Sequence, residues 1–127
     1  MYGKEKKMAK TIDYDIKRGD TKYLNKFRVT DKDGTVLNLS PSDQLYFTMK
    51  NSNKQAVLKK KIGSGITLGD DGYYHITLES TDTEDLEVGT YMYDIELDLN
   101  LTKTFVNTII EGEITLNEDV TLKGDRT

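Results

Sequence analysis

GTYMYDIELDLN, Gly89 to Asn100, is the stretch on which the fold turns. In an extended chain, alternate side chains point to opposite faces. Tyr91, Tyr93, Ile95, Leu97 and Leu99 therefore line one face, and Thr90, Met92, Asp94, Glu96 and Asp98 the other. A helix would scatter both sets, so the period predicts a strand with one buried face. The polar face raises its own question, because Asp94, Glu96 and Asp98 form an acidic row. Positions i and i+2 of a strand lie roughly 6.6 to 7 Å apart, whereas calcium needs six to eight oxygens within about 2.6 Å. Three carboxylates spread along one strand cannot close around such an ion, so the row reads as solvated surface. From Glu79 to Asp98 there are eight acids and neither Lys nor Arg, which also suits contact with a basic partner surface.

The same alternation recurs outward along the chain. Leu45, Phe47 and Met49 alternate with Gln44, Tyr46, Thr48 and Lys50. Ile12, Tyr14 and Ile16 share a face in residues 11–17, as do Tyr74, Ile76 and Leu78 in the run after the Asp71-Gly72 turn. Tyr23, Phe27 and Val29 share parity in residues 22–30, ahead of an Asp31-to-Gly34 turn and a short return strand over 35–39. AVLKKKI, Ala56 to Ile62, reads as an edge strand whose Lys59, Lys60 and Lys61 discourage pairing with another molecule. STDTEDLEVG predicts one helical turn or a tight crossing, with Thr83 as a cap followed by acids that suit a helix N-terminus. The last two strands are expected to join as a hairpin at Asn100 to Lys103.

Seven to nine short strands with regular turn signals predict an all-β, immunoglobulin-like antiparallel β-sandwich with one short helical turn. Leu86, Gly89 and Tyr91 have the spacing of a tyrosine corner, in which the phenol bonds back to the preceding loop. Tyr93 then stands where antibody domains carry their second cysteine. At 127 residues one such domain is expected over 11–121, with flexible tails at 1–10 and 122–127.

Composition narrows the chemistry. There is no cysteine, so thiolate nucleophiles, disulfides and cysteine-ligated zinc are excluded. The net charge is −4, and residues 1–10 hold four lysines against one glutamate, so the remaining body is more acidic still and repels a phosphate backbone. Nucleic acid is not an expected partner. MYGKEKKMAK has no apolar run after its lysines, so neither a secretory leader nor a membrane anchor is expected, and the chain reads as soluble and made in the cytoplasm.

Individual motifs offer little catalysis. His75 is the only histidine and lies on the polar parity of its strand, and no Gly-x-Ser-x-Gly elbow exists to supply a nucleophile. Arg18-Gly19-Asp20 spells an adhesion tripeptide but is explained by a turn between two strands. Asp31-Lys32-Asp33-Gly34 opens like a calcium loop without its closing glutamate. Gly63 to Gly65 is too short for a phosphate cradle. Asn38-Leu39-Ser40 and Asn100-Leu101-Thr102 are glycosylation sequons only in a secreted chain. The expectation is a protein without enzymatic activity, cofactor, metal or small-molecule substrate.

Gly19-Asp20-Thr21 before the second strand, Asp31 to Gly34 followed by Leu39-Ser40, Asp71 to Leu78, Gly89 to Ile95 and Asp119-Val120-Thr121 recur together here. Over residues 12–121 this pattern resembles the small immunoglobulin-like module of tailed-phage and prophage structural proteins, and is similar to the N-terminal domain family of baseplate upper proteins. The resemblance implies a virion protein of a tail or baseplate, made in the bacterial cytoplasm. It would act by protein–protein contact with other phage structural proteins, itself among them. The residues expected at such contacts are Asp94, Glu96 and Asp98, and Lys59, Lys60 and Lys61 on the Ala56–Ile62 edge. Gly89, Tyr91 and Tyr93 are expected to be structural. A carbohydrate- or host-surface-binding module, using Tyr46 and Tyr73, is the alternative.

Overall fold

Alternating apolar residues bury one face only if another layer covers it, and here the sheet itself curls over to do so. The computed structural model describes residues 9–31, 33–101, 106–120 and 123–125. Among them nine strands follow in order: β1 (Lys10–Thr11), β2 (Tyr14–Lys17), β3 (Lys22–Tyr23), β4 (Gln44–Lys50), β5 (Ala56–Ile62), β6 (Gly65–Leu68), β7 (Tyr74–Leu78), β8 (Gly89–Asp98) and β9 (Val106–Asn117). One helical turn, α1 (Ser80–Thr83), links β7 to β8. The order β1-β9-β8-β4-β5-β6-β7-β3, with β2 also on β9, is one continuous sheet folded into a sandwich-like curl.

The all-β architecture and its short helical turn are those expected, but pairing is not antiparallel throughout. β1 and β2 both run parallel to β9, and β5 runs parallel to β6 over its last two residues. Lys10, assigned to a tail, belongs to β1. Residues 1–8, 102–105, 121, 122, 126 and 127, on which most of the expected tails and the expected hairpin tip fall, lie outside the described residues. So does Lys32.

Leu45, Phe47, Met49, Ile66, Leu78 and Ile114 are fully buried between the two halves of the curl. Phe47 stacks on Tyr93 with ring centroids 5.6 Å apart, and Tyr14 lies 6.0 Å from Tyr93 on another side. This aromatic centre joins β2, β4 and β8.

Tyr23 does not share the inward face with Phe27 and Val29: it is 76% exposed, while Leu24 is buried. The cause is an extra residue. Tyr23 pairs with Thr77 and Phe27 with Tyr74, so four steps on one strand oppose three on the other. That bulge switches parity between Leu24 and Phe27. The return strand over 35–39 is reduced to a bridge between Thr30 and Val36 and a bond from Leu37 N to Val29 O. In α1 the N-cap is Glu79, whose N–H donates to Asp82 Oδ2 at 2.7 Å, and Thr83 is the last residue. Thr83 is buried because its Oγ1 accepts Gly19 N–H at 2.8 Å, tying the helical turn to the Arg18-Gly19-Asp20 bend.

The N-terminal segment is held by a three-part device. Ile12 N donates to Glu111 O, and Tyr93 Oη donates to Ile12 O at 2.6 Å. Gly112, opposite Tyr93 in the register, makes room: a Cβ there would collide with the Ile12 carbonyl oxygen. Tyr93→Phe leaves that carbonyl short of a donor and should lower stability by about 1 to 2 kcal/mol. Gly112→Ala must push the N-terminal segment off β9 and should cost more. Urea denaturation midpoints of the two variants check both the sign and the order.

Candidate functional site

The outer surface of the β9-β8-β4-β5 layer gathers most of the charged residues singled out from the sequence. β8 presents Thr90, Met92, Asp94 and Glu96 outward, and the register supplies their neighbours. Glu111, Asp94, Thr48 and Lys59 form one row across the four strands. Thr108, Glu96, Tyr46 and Lys61 form the next, and Glu113, Met92 and Lys50 lie in the row on the other side. Acids thus occupy β8 and β9, lysines occupy β5 and the end of β4, and Tyr46 and Thr48 stand between. Met92 is 56% exposed in the midst of them.

A groove of ≈ 670 Å³ runs over the acidic half, lined by Asp13, Asp94, Glu96, Glu111 and Glu113 together with Lys50 and Met92. Asp13 is fixed there because its Oδ1 accepts Glu113 N–H at 2.9 Å. Partial burial, then the charges of Glu96 and Glu111, push the Asp94 carboxyl above its ordinary range, and Lys50 only partly offsets them. Among the described residues, no three His, Asp or Glu side chains converge as a metal-binding group.

Two expected contact residues are not on this surface. Asp98 is 1% exposed, because the chain leaves the strand there and folds over in the 3₁₀ turn Leu99–Leu101. That turn is held by Asn100 N–H donating to Asp43 Oδ1 and by Ser42 Oγ donating to Asn100 Oδ1. Lys60 alternates inward between exposed Lys59 and Lys61, and its Nζ pairs with Asp82 Oδ2 at 2.9 Å, the side chains being 10% and 18% exposed. It fastens β5 to α1. The edge reading of β5 holds only in part: β4 pairs along it, and β6 covers its last two residues. Gln44 Oε1 accepts the N–H of Ile62 at 2.8 Å.

The three residues assigned structural roles sit at the start of β8. Tyr91 Oη donates to Glu87 O at 2.6 Å, the bond of a tyrosine corner. Gly89 takes φ +144°, a conformation that glycine adopts without strain, so the chain can enter β8 directly from that loop. Tyr93 holds the N-terminal segment as described above.

A second cluster lies beside β7. Lys26 Nζ and Arg28 Cζ stand 4.5 and 4.7 Å from the Tyr73 ring centroid. Asp71 bonds His75 Nε2 and pairs with Lys26 Nζ, each at 3.1 Å. The Tyr73 N–H above all, then His75 and Lys26, hold the Asp71 carboxyl far below the usual carboxylate range. Two cations already lie against Tyr73, and a groove of ≈ 390 Å³ adjoins it, lined also by Lys10, Lys26, Arg28 and residues 107–110 of β9. Arg18 of the Arg-Gly-Asp bend is spent within the fold, on Asp119 and on the Leu86 carbonyl.

Glu111, Glu113, Lys50 and Asp13 were not singled out from the sequence. The alternation in TIIEGEITL places Glu111 and Glu113 on one parity, but only the register sets them beside Asp94 and Met92.

No family model matches the chain, and no curated protein sequence matches it. Among solved structures the chain is similar to the crystal structure of CopC from Methylosinus trichosporium OB3b, with 16% identity and a TM-score of 0.39, over 77% of this chain and 99% of that one. A likeness at that score carries no argument about function. Among the described residues no helix is long and apolar enough to cross a membrane.

Asp94 and Asp71 are perturbed in opposite directions and give opposite predictions. The folded-state pKa of Asp94 is raised, so its ionised form weighs against the fold as pH rises through that value. Asp94→Asn should raise the melting temperature at pH 7, and the gain should vanish below the ordinary aspartate range. Asp71 is depressed, so its contribution is present above the ordinary range and lost in acid. Asp71→Asn should lower the melting temperature at pH 7, and thermal melts between pH 2.5 and 7 compare the two.

Proposed function

We propose that this chain is a non-enzymatic structural or accessory protein of a tailed phage or prophage, acting by protein–protein contact in a tail or baseplate. The observation that carries the contact reading is the open outer layer of β9-β8-β4-β5. It is a broad strand surface with charge sorted into two halves and an exposed methionine among them. A face that served only to keep the domain soluble would need polar residues in no particular order. The phage setting rests on the sequence resemblance. Its motifs fall at turns and strand starts of this fold: Gly19, Gly34, Gly72 and Gly89 all take positive φ. Such positions specify architecture first and role second.

The proposed partners are other phage structural proteins and further copies of this chain. The proposed location is the virion, after synthesis in the bacterial cytoplasm. Nucleic acid is a poor partner for a groove in which five carboxylates face one lysine. A second reading, binding of carbohydrate or another host-surface group, is favoured by one feature: the groove at Tyr73 with Lys10, Lys26 and Arg28 on its walls.

Mass spectrometry of gradient-purified tailed particles from an induced lysogen carrying the gene separates these readings. Peptides at a fixed ratio to the tail proteins are expected. Absence from particles, with the protein abundant in the lysate, would overturn the virion assignment. Glycan-array binding lost on Tyr73→Ala would favour the second reading.

A further inference from the structure

The outer layer of β9-β8-β4-β5 is complementary to itself. We propose that a second copy of this chain docks face to face on it, about a two-fold axis that runs parallel to the strands between β8 and β4. The inference rests on reading this face as a contact surface, and not on the phage setting.

The choice of axis follows from the register. Two identical sheets laid face to face can be related by a two-fold axis along the strands or across them. An axis across the strands sets β8 on β8 and β9 on β9, so the acid-bearing strands of the two copies lie against each other. Like charges so placed repel. An axis along the strands exchanges left and right, setting β9 on the partner's β5 and β8 on the partner's β4. Within the row of Glu111, Asp94, Thr48 and Lys59, each Glu111 then faces a Lys59 of the other copy. In the next row each Glu96 carboxylate faces a Tyr46 phenol, which can donate to it. Each Met92 faces the Lys50 of the other copy, whose aliphatic stem can cover the exposed thioether. Aligned packing of two sheets, with strands within about 30° of each other, is a common way for such layers to meet.

The monomer leaves something for the partner to supply. Among the described residues Lys50 is the one cation lining the acidic groove, against five carboxylates. Lys59 and Lys61 are exposed, and the residue between them, Lys60, is turned inward to Asp82. Four strands about 4.8 Å apart and about seven residues long give a patch of roughly 450 Å² in projection. That is small beside the roughly 800 Å² per partner of a standard interface, so the dimer should be weak and strongly salt-dependent.

Sedimentation equilibrium on the full chain at neutral pH tests this. A reversible monomer–dimer equilibrium is expected at about 0.05 M salt. At 1 M salt, where the screening length falls to roughly 3 Å, the affinity should drop at least tenfold. Lys59→Glu and Glu111→Lys should each remain monomeric under conditions where the parent dimerises, since each puts like charges opposite one another. Mixed one to one, the two variants should form a heterodimer. One of its two symmetry-related contacts then keeps the parent pairing of Glu111 with Lys59, and the other sets the two introduced charges, opposite in sign, against each other. Heterodimer formation also establishes that both variants are folded. A parent chain that stays monomeric to about 0.5 mM at low salt would overturn the proposal, since the dissociation constant would then lie at or above about 1 mM. Dimers that persist in both single variants, or circular-dichroism-folded variants that fail to pair on mixing, would overturn it equally.

Discussion

A buried phenol needs an acceptor, and the way Tyr93 finds one organises the rest of the molecule. Its ring fills the centre of the sandwich against Phe47 and Tyr14, where burial raises its pKa, so it stays a neutral donor. The hydroxyl donates not to a neighbouring strand of the regular ladder but to Ile12 O, at 2.6 Å. For that carbonyl to approach, the residue across from Tyr93 on β9 must lack a side chain, and Gly112 does. The N-terminal segment therefore cannot run on as one strand. It breaks at Ile12 and Asp13, giving β1 on one side and β2 on the other, both parallel to β9. Once that segment is in place the far edge of β9 is covered, and Asp13 is delivered to the rim of the outer face with its carboxylate on Glu113 N–H. One hydrogen bond in the core thus contributes to the charge of the surface.

Much of this architecture was legible in the residues, and the reason is local. Where a strand buries one face and solvates the other, its own alternation identifies both, as in β4 and β8. The tyrosine corner is local too: Tyr91 and Glu87 are four residues apart. What could not be read depended on partners distant in sequence. The extra residue that switches parity before Phe27 is defined only against β7. Lys60 differs from its neighbours by the pleat alone, and its inward course has meaning only because Asp82 waits on α1. Asp98 continues the parity of Asp94 and Glu96, but the chain turns over it. Glu111 and Glu113 join the acidic row through a register that no single strand encodes.

The composition of the outer layer is more ordered than folding demands. A half-buried strand needs outward residues that tolerate water and pack sideways, and threonine or tyrosine would serve at every such position. Thr48, Tyr46, Thr90 and Thr115 do serve there, with Thr90 and Thr115 hydroxyls 3.2 Å apart across β8 and β9. Replacing the acids between them with similar residues would relieve the crowding that raises the Asp94 carboxyl. Ionised Asp94 thus weighs against the fold, and Lys59 and Lys61 lie on β5, two strands from β8 and three from β9. Like charges on neighbouring strands are a local conflict, and in a sequence otherwise consistent at every level such conflicts fall where a second requirement competes with folding. On the proposed docking, the separation of acids on β8 and β9 from lysines on β5 lets a second copy answer that conflict row by row, each Glu111 meeting a Lys59.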